Sequence, residues 1–352
     1  MFKKPNVKEI RPWMLVLCVW TVWGTAITAA GKWSALADGW PMSITMCLGS
    51  FVAGATSEGG GAVAFPVMTL LFRIPPSVAR DFSLMIQSVG MTAATIAIVS
   101  SNIRVNWQAI LWSGLGGMLG IVIGLQWFSV WLPPAYLKIF FTSLWLSFAA
   151  ALFAVNWLWK RSVVSSVRGW GAKDRALLLA IGVLGGIVSG LVGSGLDILT
   201  FTMLTLYFRV SEKIATPTSV ILMASNACVG FFWQAGVAGV VSGEAWSFWW
   251  ACVPVVVVGA PLGAWFIRRR SRHFITAILC VSIVLQFVGA ALLVPHDRQL
   301  WWFSASVVAG GMILFGGMYM MGIRRAGLWK AAQQGQSNRA WTLAASDAMG
   351  RR

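Results

Sequence analysis

Residues 49–84 read GSFVAGATSEGGGAVAFPVMTLLFRIPPSVARDFSL, and residues 185–220 read GGIVSGLVGSGLDILTFTMLTLYFRVSEKIATPTSV. The two stretches align without a gap at a constant offset of 136 and are identical at eleven of 36 positions. Gly49, Val52, Gly54, Gly59, Phe65, Thr69, Leu70, Phe72, Arg73, Ala79 and Ser83 match Gly185, Val188, Gly190, Gly195, Phe201, Thr205, Leu206, Phe208, Arg209, Ala215 and Ser219. Apolar segments match one another by chance, so the ungapped run and the shared Phe-Arg ending carry more weight than the count. Further on the offset becomes 139, pairing Trp107, Gly120 and Gly124 with Trp246, Gly259 and Gly263, which places a three-residue difference in a loop. The chain reads as a duplicated unit.

That unit is made for lipid. Of 352 residues, 58% are hydrophobic and 11% charged, and the apolar residues come in blocks of about 16 to 25, the length that spans a hydrocarbon core. The blocks lie at 13–30, 41–56, 62–73, 82–101, 108–126, 135–158, 177–193, 196–208, 217–239, 247–267, 274–294 and 301–322. Tryptophans such as Trp13, Trp33, Trp40, Trp107, Trp127, Trp157 and Trp302 gather near block ends, where amphipathic rings favour the headgroup zone, while Trp145 lies deeper. The net charge of +17 is spread in short runs between blocks, which argues against nucleic acid as a partner, since a basic footprint needs one exposed face. Cys18, Cys47, Cys228, Cys252 and Cys280 all fall inside apolar blocks without a CxxC pair and read as packing residues. Lys3, Lys4, Lys8 and Arg11 precede an apolar stretch that is long for a signal peptide, so an uncleaved first helix is expected.

Basic residues set the orientation. Lys160, Arg161, Arg168, Lys173 and Arg175 fill one loop and Arg268, Arg269, Arg270 and Arg272 another, and both belong on the cytoplasmic side, with both termini. The blocks 41–56 with 62–73, and 177–193 with 196–208, are separated only by glycine-rich breaks, and three of the four fall short of a ~30 Å span. They are expected to be half-helices of re-entrant hairpins. Counting the hairpins as entering and leaving on one face leaves eight crossings, 13–30, three per repeat and 301–322, and puts every strongly basic loop inside. An odd number of crossings per repeat then inverts the second copy relative to the first.

The expected fold is thus an all-α integral membrane protein of about eight transmembrane helices plus two re-entrant helical hairpins, arranged as an inverted-topology repeat. Its parts are a tail and first helix (1–40), a first repeat (41–158), a cytoplasmic basic loop (159–176), a second repeat (177–294), a last helix (295–322) and a cytoplasmic tail (323–352). The Gly, Gln and Ser content from Arg324 onward suggests disorder. Inverted halves that exchange conformations can present one central site to each side in turn, which is a transporter's logic.

Irregular backbone at membrane depth is tolerated only against protein or a watery cavity, so the hairpin elbows mark the expected site. The first reads Thr56-Ser57-Glu58-Gly59-Gly60-Gly61 and the second Gly193-Ser194-Gly195-Leu196-Asp197. Glycine lets the chain reverse, and the following half-helices aim unpaired N–H groups and positive dipole ends at the elbow, a place that suits an anion. Glu58 and Asp197 are the acidic residues that interrupt apolar segments away from loops. Glu58 reads as an N-terminal cap, as a proton-binding group whose neutralisation admits an anion, or as a cation ligand; Asp197 leans toward the cap. Polar residues opening the next crossing, Asp81, Ser83, Gln87 and Ser88 in one repeat and Thr216, Thr218, Ser219 and Asn226 in the other, are candidates to line the cavity, against the plainer reading that they bond their own backbone. Arg73 and Arg209, at matching hairpin exits, either snorkel or guide an anion.

Gly116, Gly120, Gly124 and Gly182, Gly186, Gly190 form small-residue runs that allow close helix contact rather than ligand binding. His273 and His296 sit at segment ends, and no catalytic, cofactor or metal motif is present, which speaks against an enzyme. The lipid bilayer and a small anion are the implied partners, and self-association into a homo-oligomer is left open.

The stretch GATSEGGGAVAFPVMTLLF, its mate GGIVSGLVGSGLDILTFTMLTLYF, and the trailing ARDFSLMIQSV and ATPTSVILMAS resemble the TauE/SafE family of membrane transporters over residues 41–320. The shared marks are the glycine-rich elbow, Pro66 a few residues on, then Ala215, Thr218 and Ser219 opening the next helix. The chain departs from that pattern at Leu196 and Asp197, where a further glycine pair is expected, and at Asp81 to Ser83. The resemblance implies movement of small anions, often sulfur oxyanions or organosulfonates such as sulfite or sulfoacetate, across a bacterial inner membrane. Small carboxylates, or a channel of the same fold, are the alternatives.

Overall fold

The computed structural model describes residues 7–129, 132–158, 163–164, 167, 170–267, 270–294 and 297–349. Lys3, Lys4, Lys160, Arg161, Arg168, Arg268, Arg269 and His296 lie outside the described residues. The helices in chain order are α1 (Val7–Ala29), α2 (Ser34–Ala55), α3 (Gly59–Pro66), α4 (Pro76–Ser100), α5 (Trp107–Ile123), α6 (Pro134–Phe153), α7 (Ala172–Val192), α8 (Leu196–Thr202), α9 (Glu212–Phe231), α10 (Gly243–Ile267), α11 (Arg272–Leu293) and α12 (Arg298–Met349). A π-helical stretch continues each of α3, α5, α6, α8 and α9.

Among the described residues, eight stretches are long and apolar enough to cross a membrane. Seven match expected crossings; the eighth, Ala172–Val192, is a segment expected to be a half-helix, and the first block qualifies only as the shorter apolar helix Val16–Ala29. The half-helix expectation therefore fails for α7, the first arm of the second hairpin, while α2 is not among the eight. At ~1.5 Å per residue, the 22 residues of α2 and 21 of α7 reach about 32 Å. Polar residues had shortened these arms on paper, but the helices run through them. In α7 the reason is local: Asp174, in the first turn, accepts from the Gly171 amide at 3.2 Å and so caps the helix it was expected to precede. The second arms are short, α3 with its π stretch ending at Leu71 and α8 with its own at Tyr207.

The tail expectation also fails, because α12 continues to Met349. Ala331, Ala332, Gln333 and Gln334 are good helix formers, and their propensity outweighs the scattered Gly and Ser. The part of α12 apolar enough to cross a membrane ends at Gly327, five residues beyond the expected boundary.

The two hairpins share fine detail. Phe72 and Phe208 donate their amides to Val67 and Met203, each at 3.1 Å, and Ile74 and Val210 donate to Met68 and Leu204 at 2.9 and 2.8 Å. Arg73 and Arg209 both take left-handed backbone, with φ of 57° and 58°. A non-glycine residue rarely does so, and its occurrence at two positions 136 apart shows that the duplicated sequence folds alike in both copies.

Packing is reciprocal. α2 lies against α10 and α5 against α7, so each hairpin's long arm rests on the other repeat. Glycine makes this possible: a Cβ on Gly120 would meet the carbonyl of Val183, one on Gly186 the carbonyl of Gly117, and one on Gly54 the carbonyl of Ala260. These helices touch backbone to backbone. α4 and α9 form an antiparallel central pair, with Gln234 at the end of α9 beside Asp81 at the start of α4. Around them Phe65, Phe141, Trp145, Phe148 and Phe201 fill the core, Phe141 and Trp145 stacking at 4.2 Å. The outer surface is apolar as well: Leu292 is 74% and Ile313 76% exposed, a face that only lipid would cover.

Candidate functional site

Each hairpin turns inside the bundle. Thr56, Ser57 and Glu58 link α2 to α3, and Gly193, Ser194 and Gly195 link α7 to α8, all buried. Gly59 (φ 80°) and Gly193 (φ 86°) make the reversals in left-handed backbone. Both are also hemmed in, since a Cβ on Gly193 would lie 2.6 Å from the Ser83 Cβ and one on Gly59 would lie 2.7 Å from the Met223 Sδ. Thus the first elbow seats on α9 and the second on α4.

The elbows meet each other. The Ser194 hydroxyl donates to the Glu58 carbonyl at 3.3 Å, and the Gln87 side chain donates to the carbonyls of Gly193 at 2.8 Å and Ser83 at 2.9 Å. Gly60 packs on the stem of the same Gln87. Asp197 holds the second elbow in shape: one carboxylate oxygen accepts from the Gly195 amide at 2.7 Å and the other from the Ser194 hydroxyl at 2.9 Å. The Leu196 amide is likewise taken, by the Ser189 hydroxyl at 3.1 Å. Asp197 sits within α8 and caps it from inside.

Glu58 occupies the N-cap position of α3, yet its side chain makes no capping bond there. It reaches instead to α11, where the Gln286 amide donates to its Oε1 and also to the Ser282 hydroxyl at 3.1 Å. Its second oxygen, Oε2, is buried without a hydrogen bond, and so are Ser57 Oγ, Gln87 Oε1, Gln286 Oε1 and Asn226 Oδ1. Buried acceptors without donors cost roughly 1–3 kcal/mol each, so this cluster is a place where a ligand, an ion or a proton has something to satisfy. Gln87, Gly193, Ser194, Asp197 and Asn226 line one small pocket that leaves no room for a water molecule.

Other expected residues lie apart or are spoken for. Thr218 faces sideways, donating to the Ile214 carbonyl at 2.7 Å and accepting from the Asn106 amide at 2.9 Å, so it ties α9 to the start of α5 rather than facing an elbow. The hydroxyls of Ser83, Ser88 and Ser219 donate to carbonyls of their own helices, the plainer of the two readings for them. Gly61 lies in the first turn of α3. Asp81 pairs with Arg80 at 2.8 Å. Gln286 and Ser282 were missed; the signal was a polar pair one turn apart in an otherwise apolar block, 274–294.

The family profile described as "Sulfite exporter TauE/SafE" matches residues 42–289. Comparison with curated proteins and with solved structures finds no match.

Proposed function

Because the chain belongs to the TauE/SafE sulfite exporter family, we propose that it is a secondary transporter of a small anion, a sulfur oxyanion or organosulfonate, across the bacterial inner membrane. The anion binds where the two elbows meet. In this reading the hairpins are re-entrant, entering from opposite sides in two inverted copies, and both termini are cytoplasmic.

The observation that carries the proposal is the contact of the two glycine elbows at the core of the bundle, with the Ser194 hydroxyl on the Glu58 carbonyl. Inversion is supported by the antiparallel α4 and α9, which continue from the two hairpin exits. Of the two elbows the first is the better donor site. Its three consecutive glycines, Gly59 to Gly61, open a helix, while two amides of the second elbow are already bonded. The terminal amide of Asn226 adds N–H groups when rotated. A proton on Glu58 removes the charge that would repel an anion and supplies a donor to the unsatisfied oxygens around it, which makes Glu58 the coupling group.

Purified protein in liposomes, tested for uptake of labelled sulfite, sulfonates and carboxylates, decides the matter: saturable flux with counterflow is expected, and no saturable flux of any anion sinks the reading. Flux that does not saturate would mark a channel; the tight pocket at the elbows favours a carrier. Wild-type flux is expected to fall as pH rises and Glu58 ionises, and Glu58→Gln to flatten that profile. An unchanged profile removes the proton role and spares the transport claim.

A further inference from the structure

We propose that the anion approaches the elbows through a cavity at the start of α9, where Lys213 and Thr216 receive it, while Arg80, Asp81 and Gln234 fill the matching place at the start of α4 as a closed gate. The proposal rests on the transport reading above and adds the route and the state. The cavity has a volume of about 60 Å³ and is bounded by Gly54, Ile98, Lys213, Thr216, Pro217 and Ile275. Thr216 is 1% exposed and its hydroxyl has no hydrogen bond, so a polar group stands ready in a wall that is apolar apart from Lys213. Outside lies a broader basin beside Arg104 and Ile214, sharing Ile103 with the inner cavity. Lys213 and Arg104 are exposed cations along this path, the charge an entering anion would follow. From Thr216 the helix leads in seven residues, roughly 10 Å at ~1.5 Å per residue, to Met223, which touches the first elbow at Gly59.

The opposite end is built differently at the same positions. Thr216, Pro217 and Ile98 have as repeat mates, 136 residues away, Arg80, Asp81 and Gln234. There Arg80 donates to Asp81 Oδ1 through Nη2 at 2.8 Å and Nε at 2.9 Å, and Gln234 donates to the same oxygen at 3.0 Å. All three are at least nine-tenths buried, and the Arg80 carbonyl lies against Gly193 of the second elbow. One end of the duplicated fold is thus open space and the other a polar lock, for which Thr, Pro and Ile supply no partners. A buried ion pair suits a gate because its net worth is small once water reaches both charges.

The test uses the full chain in sealed vesicles of both orientations, its five cysteines replaced, with a membrane-impermeant thiol reagent. Thr216→Cys is expected to label from one side roughly tenfold faster than Ser83→Cys labels from the other, as for an open minor state near ~10%. Adding the neutral replacements Arg80→Gln and Asp81→Asn, which avoid stranding one charge, should raise Ser83→Cys labelling by a similar factor. Equal labelling of the two sites, or no response to the double change, overturns the gate. Lys213→Ala should raise KM several-fold with kcat held, and an unchanged KM overturns its role. Labelling needs no substrate, so absent flux would remove the transport reading while leaving the one-sided cavity measurable.

Discussion

Adding a single methyl group at Gly120 tests whether the helices that carry the second elbow touch through their backbones. An ideal Cβ there would fall against the Val183 carbonyl, 2.8 Å from its carbon and 2.9 Å from the Val183 Cα, and none of these atoms is the free end of a side chain. Relief requires α5 and α7 to part by about 1 Å, and overpacking of this kind costs roughly 1–3 kcal/mol. Alanine itself is a better helix former than glycine by about 1 kcal/mol. Gly289→Ala on α11, where a Cβ meets nothing within 4 Å, is therefore the matched control and is expected to be neutral or slightly stabilising. The helix-propensity gain is common to both variants and cancels, so they should differ by the overpacking cost alone, about 1–3 kcal/mol. Unfolding in graded SDS and thermal loss of the monodisperse detergent peak would read the difference, and flux in liposomes would show whether the displaced α7 misplaces Gly193 to Gly195. If Gly120→Ala matches Gly289→Ala in stability and transports normally, the backbone contact between α5 and α7 is not what holds the second elbow.

Gln286→Leu should leave Glu58 Oε1 without its donor and lower saturable anion flux, while Gln286→Glu should alter the pH dependence of flux; normal transport by both would show that α11 takes no part in the site. Arg325 holds Asp174 with two bonds of 2.7 and 2.9 Å, joining the end of the membrane-crossing part of α12 to the start of α7. A double-mutant cycle with Asp174→Asn and Arg325→Gln should return a coupling of about 1–3 kcal/mol in the unfolding assay, and a value near zero would mean that solvent screens the pair.

The likeness of residues 49–84 to 185–220 was legible as an ungapped register, and the left-handed Arg73 and Arg209 sit at its shared Phe-Arg ending. The positions of the two elbows were legible for the same reason. What periodicity and hydropathy missed is instructive. Block lengths understated α2 and α7, since a helix end near Asp174 is decided by a cap and not by apolarity. The tail was misjudged because composition was weighed without helix propensity. Thr218 and Asn226 lie on one helix, yet only Asn226 lines the pocket with Asp197, and that choice depends on how α5 docks on α9. Gln286 lies 228 residues from Glu58, a pairing that no local pattern announces.

Position 58 and position 194 are repeat mates, and one is glutamate where the other is serine. In the proposed alternation, two halves trading shapes do not return the molecule to an energetically equivalent arrangement, because the Glu58 carboxylate stays with the first half and that of Asp197, whose mate is Gly61, with the second. The resting balance proposed for the two arrangements then depends on how each surrounds these two unlike carboxylates, and acidity on either side becomes a weight on the scale.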